Sequence, residues 1–111
     1  MSVYVIAMVK VNDVETYKKY TARTPAIARK YGGKFLARAG AVEAIEGEPF
    51  HDRLVILEFP SKEALHKWYA SEEYQSVLKY RHASSTGRIL AIEGAADTEA
   101  PDDKVVRAGE A

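Results

Sequence analysis

The chain has 111 residues, 16 Lys and Arg against 16 Asp and Glu, and no cysteine; this is the profile of one soluble domain and excludes disulfides, thiol catalysis and Cys-ligated metal or iron–sulfur centres. Zero formal net charge argues against nucleic acid as the main partner. There is no run of roughly eighteen apolar residues and no basic, then apolar, start, so neither a membrane span nor export is expected, and the location expected is cytoplasmic.

The first segment, Val3 to Val9, is rich in β-branched residues and predicts a strand, after which Asn12-Asp13 can cap a helix. From Val14 to Tyr31 the apolar residues recur at three- and four-residue steps, which predicts a helix. Pro25 should kink it or restart it with Thr24 as a new cap, because proline lacks the N–H and crowds the preceding turn. Gly32-Gly33 ends the helix, and Lys34 to Arg38 reads as a second strand. Gly40 predicts a bulge or bend, Ala41 to Glu46 a continuation of that strand, and Gly47-Glu48-Pro49 a turn. Arg53 to Phe59 is then a third strand, closed by Pro60. If the hairpin is regular, Glu46 and Arg53 face each other as a cross-strand salt bridge.

Ser61 is a good N-cap for a helix carrying Leu65, Trp68 and Tyr69, and Ser71 caps a further helical stretch with Tyr74, Val77 and Leu78. A break is therefore expected near Ala70-Ser71. Arg88 to Glu93 is the fourth strand, ended by Gly94. The division expected is a domain over residues 1–95 and an acidic tail over 96–111, in which Lys104 to Arg107 could add as a short edge strand.

Strand–helix–strand–strand–helix–strand predicts an α+β fold, the ferredoxin-like βαββαβ arrangement with an antiparallel four-stranded sheet and both helical regions on one face. Yet Val3 to Val9 and Leu54 to Leu57 are apolar on both faces. Each Val, Ile or Leu left in water would forgo about 1.5–3 kcal/mol of burial. A second copy packed sheet to sheet supplies the missing layer, so a homodimer with a barrel-like interior is expected.

Several strings carry a family resemblance: Tyr31-Gly32-Gly33-Lys34-Phe35-Leu36-Ala37-Arg38, Glu46-Gly47, Glu58-Phe59-Pro60-Ser61, Trp68-Tyr69-Ala70-Ser71-Glu72-Glu73-Tyr74-Gln75, Arg81 and Glu93-Gly94. Over about the first 94 residues the chain resembles the DUF1330 family of small bacterial proteins. The resemblance implies the dimeric α+β barrel superfamily, which also holds cofactor-free monooxygenases, lactone isomerases and heme-degrading enzymes; it implies no reaction. Heme-degrading relatives share a first-strand Asn and a helical His, and neither stands at the matching places here. Monooxygenase relatives use a Trp in a pocket between sheet and helices. Trp68 stands ready for that place, although its spacing with Leu65 and Tyr69 also fits ordinary core packing.

Arg38 and Glu58 are charges inside apolar strand sequence, where a covered position requires a partner. One reading puts both at a pocket rim, Arg38 binding a carboxylate or enolate and Glu58 acting as base; the other makes them a structural ion pair. Arg81, Trp68 and Tyr74 are the companion ligand-binding candidates, since an anion needs a fork-shaped donor beside an apolar wall. Other patterns carry less. Glu63 and His66 are too few ligands for a metal centre, His51-Asp52 with Ser84 or Ser85 lacks a nucleophile elbow, and Gly32-Gly33 is a helix stop and not a dinucleotide loop. Arg53 to Phe59 also lacks the aromatic pattern of an RNA-binding sheet.

Two functions stand side by side on this evidence. One is a cofactor-free enzyme, of isomerase or monooxygenase type, on a small oxygenated or carboxylated metabolite. The other is a non-catalytic dimeric small-molecule-binding or interaction module. Both call for a homodimer, the enzyme and the binding form of the module call for a small-molecule ligand, and neither reading calls for a cofactor, a metal, nucleic acid or a membrane.

Overall fold

Strand β1, Val3–Val11, alternates buried and half-buried residues from Val3 to Val9, as its run of apolar side chains requires when both faces are apolar, and then exposes Lys10. The computed structural model describes residues 1–96 and 99–109. Asp13 caps helix α1, Val14–Thr21, its carboxylate accepting the Thr16 N–H at 3.2 Å. Pro25 then divides the helical region as expected: α2, Thr24–Lys30, restarts with the proline in its first turn. Its N-cap is Arg23 and not Thr24, and no side chain caps it; Thr24 is instead buried. Gly32, at φ 84°, provides the left-handed residue that stops α2.

Strand β2 is Lys34–Arg38 and β3 is Arg53–Phe59. Ser61 caps α3, Lys62–Ala70, by accepting from the Ala64 N–H, and Ser71 caps α4, Glu72–Ser84, by accepting from the Tyr74 N–H. The predicted break near Ser71 is this second cap. Helix α4 passes directly into β4, Ser85–Glu93, which starts three residues earlier than the sequence pattern indicates.

The four strands form one antiparallel sheet in the order β2-β3-β1-β4. Its inner face, Val3, Val5, Ala7 and Val9 with Val55, Leu57 and Phe59, packs under the helices. The core continues through Tyr17, Ile27, Ala28, Leu65, Trp68, Tyr74, Val77 and Leu78. The outer face carries Tyr4, Ile6, Met8, Leu54 and Ile56, all half-buried, and Leu36, Leu90 and Ile92, all exposed. Among the described residues no helix or further strand covers it.

The segment after β2 departs from expectation. Ala41 to Glu46 does not prolong the strand; residues 39–50 form no helix or strand, and Ala39 turns the chain off the sheet with φ 58°. The bulge is not at Gly40 but between Phe35 and Ala37, where the register to β3 shifts. With the hairpin irregular, Glu46 is exposed, and among the described residues no Glu46–Arg53 salt bridge forms. Residues 99–109 are exposed and contain neither helix nor strand, so within this chain Lys104 to Arg107 add no edge strand. The expected tail also includes residues 97, 98, 110 and 111, which lie outside the described residues. Among the described residues no helix is long and apolar enough to cross a membrane.

Candidate functional site

A cavity of about 310 Å³ lies between the inner sheet face and the helices, within the size range of small-molecule sites. Its floor is Val5, Ala7 and Val9 of β1 with Val55 and Leu57 of β3, and its roof includes Tyr17 and Tyr20 of α1, Pro25 and Ala28 of α2 and Trp68 of α3. Small residues make the space: Ala7 and Ala28 stand where larger side chains would fill it, and the break at Pro25 separates the two roof helices.

Strand register divides the floor into layers about 7 Å apart. Val5, Leu57 and Phe35 share one layer, Ala7, Val55 and Arg38 the next, and Val9 and Arg53 the third. One end is therefore apolar and the other cationic. Arg81, from the last turn of α4, also lines the cavity, and its charge, like that of Arg53, acts on both Tyr17 and Tyr20. The cationic end is thus built from three arginines.

Each guanidinium is steered by an aromatic ring. Arg38 Cζ lies 4.5 Å from the Phe35 centroid, Arg53 Cζ 5.6 Å from that of Tyr17, and Arg81 Cζ 5.7 Å from that of Tyr20. Among the described residues no Asp or Glu lines the cavity, and no carboxylate forms a salt bridge with any of the three. Arg53 Nε and Trp68 Nε1 are buried without a hydrogen-bond partner. Buried donors are ordinarily satisfied, and both of these belong to residues that line the cavity.

Trp68 stands in both places the sequence leaves open. It packs against Phe59 at 5.1 Å and Tyr74 at 4.2 Å between centroids, and it lines the cavity. Tyr74 does not line it; fully buried, it reaches the wall through its hydroxyl, 2.7 Å from that of Tyr20 and 3.3 Å from Arg81 Nη1. Burial raises the pKa of Tyr17, Tyr20 and Tyr74 above the ordinary phenol value, most strongly for Tyr74. At neutral pH these hydroxyls are therefore protonated.

Arg38, Arg81 and Trp68 thus meet at one cavity, with Tyr74 directly behind it. Glu58 does not join them. It pairs with Tyr4 on the outer face, where its charge raises the Tyr4 pKa, so the expected convergence of Arg38 and Glu58 is corrected. The cause is parity: Arg38 stands opposite Val55, an inner-face residue, while Glu58 is an odd number of residues from Val55 and points away. Arg53, Tyr17 and Tyr20 line the cavity without having been singled out as site residues. For Arg53 the signal was present, since it shares the alternation of Val55, Leu57 and Phe59.

A four-stranded antiparallel sheet under helices on one face, with an arginine-ended apolar cavity between them, defines a ferredoxin-like α+β domain. The family model described as a domain of unknown function, DUF1330, matches residues 2–95, and the chain belongs to that family. None of the curated proteins compared with the chain matches it. Among solved structures, a protein of unknown function from Rhodopseudomonas palustris is 18% identical with a TM-score of 0.71, covering 85% of this chain and 82% of its own. A dimeric ferredoxin-like protein of unknown function from Jannaschia sp. CCS1 is 13% identical with a TM-score of 0.71, covering 85% of this chain and 100% of its own. SnoaB, a cofactor-independent oxygenase from Streptomyces nogalater, is 15% identical with a TM-score of 0.64, covering 89% of this chain and 98% of its own. At such identities the likeness is one of fold.

Proposed function

We propose that the cavity binds a small oxygenated or carboxylated organic anion, its charged group at the arginine end and its apolar body between Phe35 and Trp68. The carrying observation is the set of three guanidiniums, each over an aromatic ring, that line one apolar cavity with no carboxylate among its described lining residues. An unpaired cluster of like charges is costly unless an anion completes it, and a planar guanidinium fork suits a carboxylate or enolate. Arg38, Arg53, Arg81 and Trp68 are the ligand contacts in this reading. The test is a fluorescence titration with 2-naphthoate. The wild-type chain is expected to bind it, Arg53→Gln to weaken binding about tenfold or more, the loss of one charge-assisted hydrogen bond, and the neutral isostere 2-acetylnaphthalene to bind far less tightly. Equal binding of both compounds would overturn the reading.

The likeness in fold to a cofactor-independent oxygenase supports a cofactor-free enzyme of monooxygenase type at this site. The protonated tyrosines, and the lack of Asp, Glu or His among the described lining residues, favour instead a binding module, or an enzyme whose substrate arrives already ionised. Oxygen uptake on mixing with acidic phenols separates the two: uptake marks the oxygenase, binding without uptake the module.

We also propose that the chain is a homodimer through the outer sheet face. The uncovered apolar residues on all four strands support it, as a patch of that kind is more than monomers normally expose. Light scattering should give twice the chain mass of 12.3 kDa, and Ile56→Lys, which sets a charge mid-sheet on that face, should give a folded monomer. A wild-type monomer at micromolar concentration would contradict this.

A further inference from the structure

The hydroxyl pair behind the cavity has a direction, and that direction assigns a role to Tyr20. Tyr20 Oη and Tyr74 Oη are 2.7 Å apart, and Arg81 Nη1 lies 3.3 Å from Tyr74 Oη. A guanidinium can only donate, so the Tyr74 oxygen accepts from Arg81. Two placements of the hydroxyl hydrogens remain. If Tyr20 donated to Tyr74, the Tyr74 hydrogen would have no acceptor within a residue that has no exposed surface, and a buried unsatisfied donor is what folded proteins avoid. If Tyr74 donates to Tyr20, the buried residue is fully satisfied. The one hydrogen left over is then that of Tyr20, a residue that lines the cavity.

The chain of donors therefore runs from Arg81 through Tyr74 to Tyr20 and ends at the cavity. Each member polarises the next, which makes the last a stronger donor than an isolated phenol.

We propose that Tyr20 donates its hydroxyl hydrogen to an oxygen of the bound molecule, with Tyr74 and Arg81 as positioning residues behind it, so that the cavity holds a phenol or enol in its ionised form. This rests on the cavity being a ligand site. An ionised oxygen only accepts, and the cavity offers it Tyr20 and the arginines; a neutral phenol brings a hydrogen of its own and, among the described lining residues, meets no carboxylate to receive it.

The probe is 4-nitrophenol, whose absorption spectrum distinguishes phenol from phenolate. Titrated against pH with the wild-type protein in excess, its pKa is expected to fall by about one unit or more, a tenfold preference for the anion. Tyr20→Phe is expected to abolish most of that shift, and Tyr74→Phe, which cannot touch the probe, to remove a smaller part of it. Tyr31→Phe, whose hydroxyl serves Glu73 at the surface, should leave the shift in full. Circular dichroism melts accompany each variant, and the Tyr74→Phe result stands alone if Tyr20→Phe does not fold. A full shift retained in both variants would overturn the proposal. So would 4-nitrophenol binding unshifted, or failing to bind, while 2-naphthoate still binds; in that case the anion site stands without it. Failure of both probes would remove the site as well.

Discussion

Gly87→Ala is expected to lower the melting temperature by about 10–20 °C, corresponding to about 3 kcal/mol in a domain of this size. Gly87 sits in β4 opposite Val9. A Cβ built there would run into the Met8 carbonyl oxygen and lie 2.9 Å from Val9 Cα. Both are backbone atoms of β1, which is held by β3 on its other side and cannot move away without breaking a second ladder. A flexible side chain could have yielded; this strand cannot. The consequence reaches the site, because Val9 is in the layer that holds Arg53. Thermal melts by circular dichroism check it, and a Tm within about 2 °C of wild type would show that β1 and β4 separate more easily than their register indicates.

Trp68→Ala is expected to cost about 3–5 kcal/mol, the usual range for emptying a buried aromatic position. The indole is 3% exposed and touches three other rings, Phe59, Tyr69 and Tyr74. Against a total stability of about 5–15 kcal/mol, that loss leaves a marginal domain. Because Trp68 is the only tryptophan, the melt must be followed by circular dichroism and not by intrinsic fluorescence. Trp68→Phe should retain most of the stability while removing the unpartnered indole N–H, which separates packing from ligand contact. If it melts like Trp68→Ala, the N–H makes a structural bond; if it melts like wild type but loses affinity for 2-naphthoate, the donor faces the ligand.

The architecture was legible because local signals agreed with one another. Asp13, Ser61 and Ser71 were read as caps and act as caps, Pro25 was read as a break and divides two helices, and the doubly apolar strands announced a sheet with demands on both faces. The loop after β2 was not legible. Ala41 to Glu46 has strand-compatible residues, but Ala39 in the left-handed region redirects the chain before they can pair, and alanine gives no warning of that.

The site followed the same division. Arg38, Arg81 and Trp68 were found because charge or bulk in an apolar pattern is visible locally. The face of Arg38, however, depends on the bulge between Phe35 and Ala37: without that extra residue, Ala37 would stand on the inner face and Arg38 would point outward. Glu58 was misplaced for the complementary reason. In Leu54-Val55-Ile56-Leu57-Glu58 every neighbour is apolar, so alternation cannot tell which face the helices cover. Tyr20 and Tyr74 are 54 residues apart, and no local pattern pairs their hydroxyls. Only the packing of α1 on α4 brings them within a hydrogen bond.

The central claim, an anion-binding cavity between sheet and helices, is tested most directly by a crystal structure of the protein saturated with 6-bromo-2-naphthoate, using the anomalous signal of bromine. The signal is predicted between Phe35 and Trp68, with the carboxylate directed toward Arg38, Arg53 and Arg81. Bromine on the outer sheet face, or a carboxylate lodged among the apolar residues with the guanidiniums left alone, would contradict it.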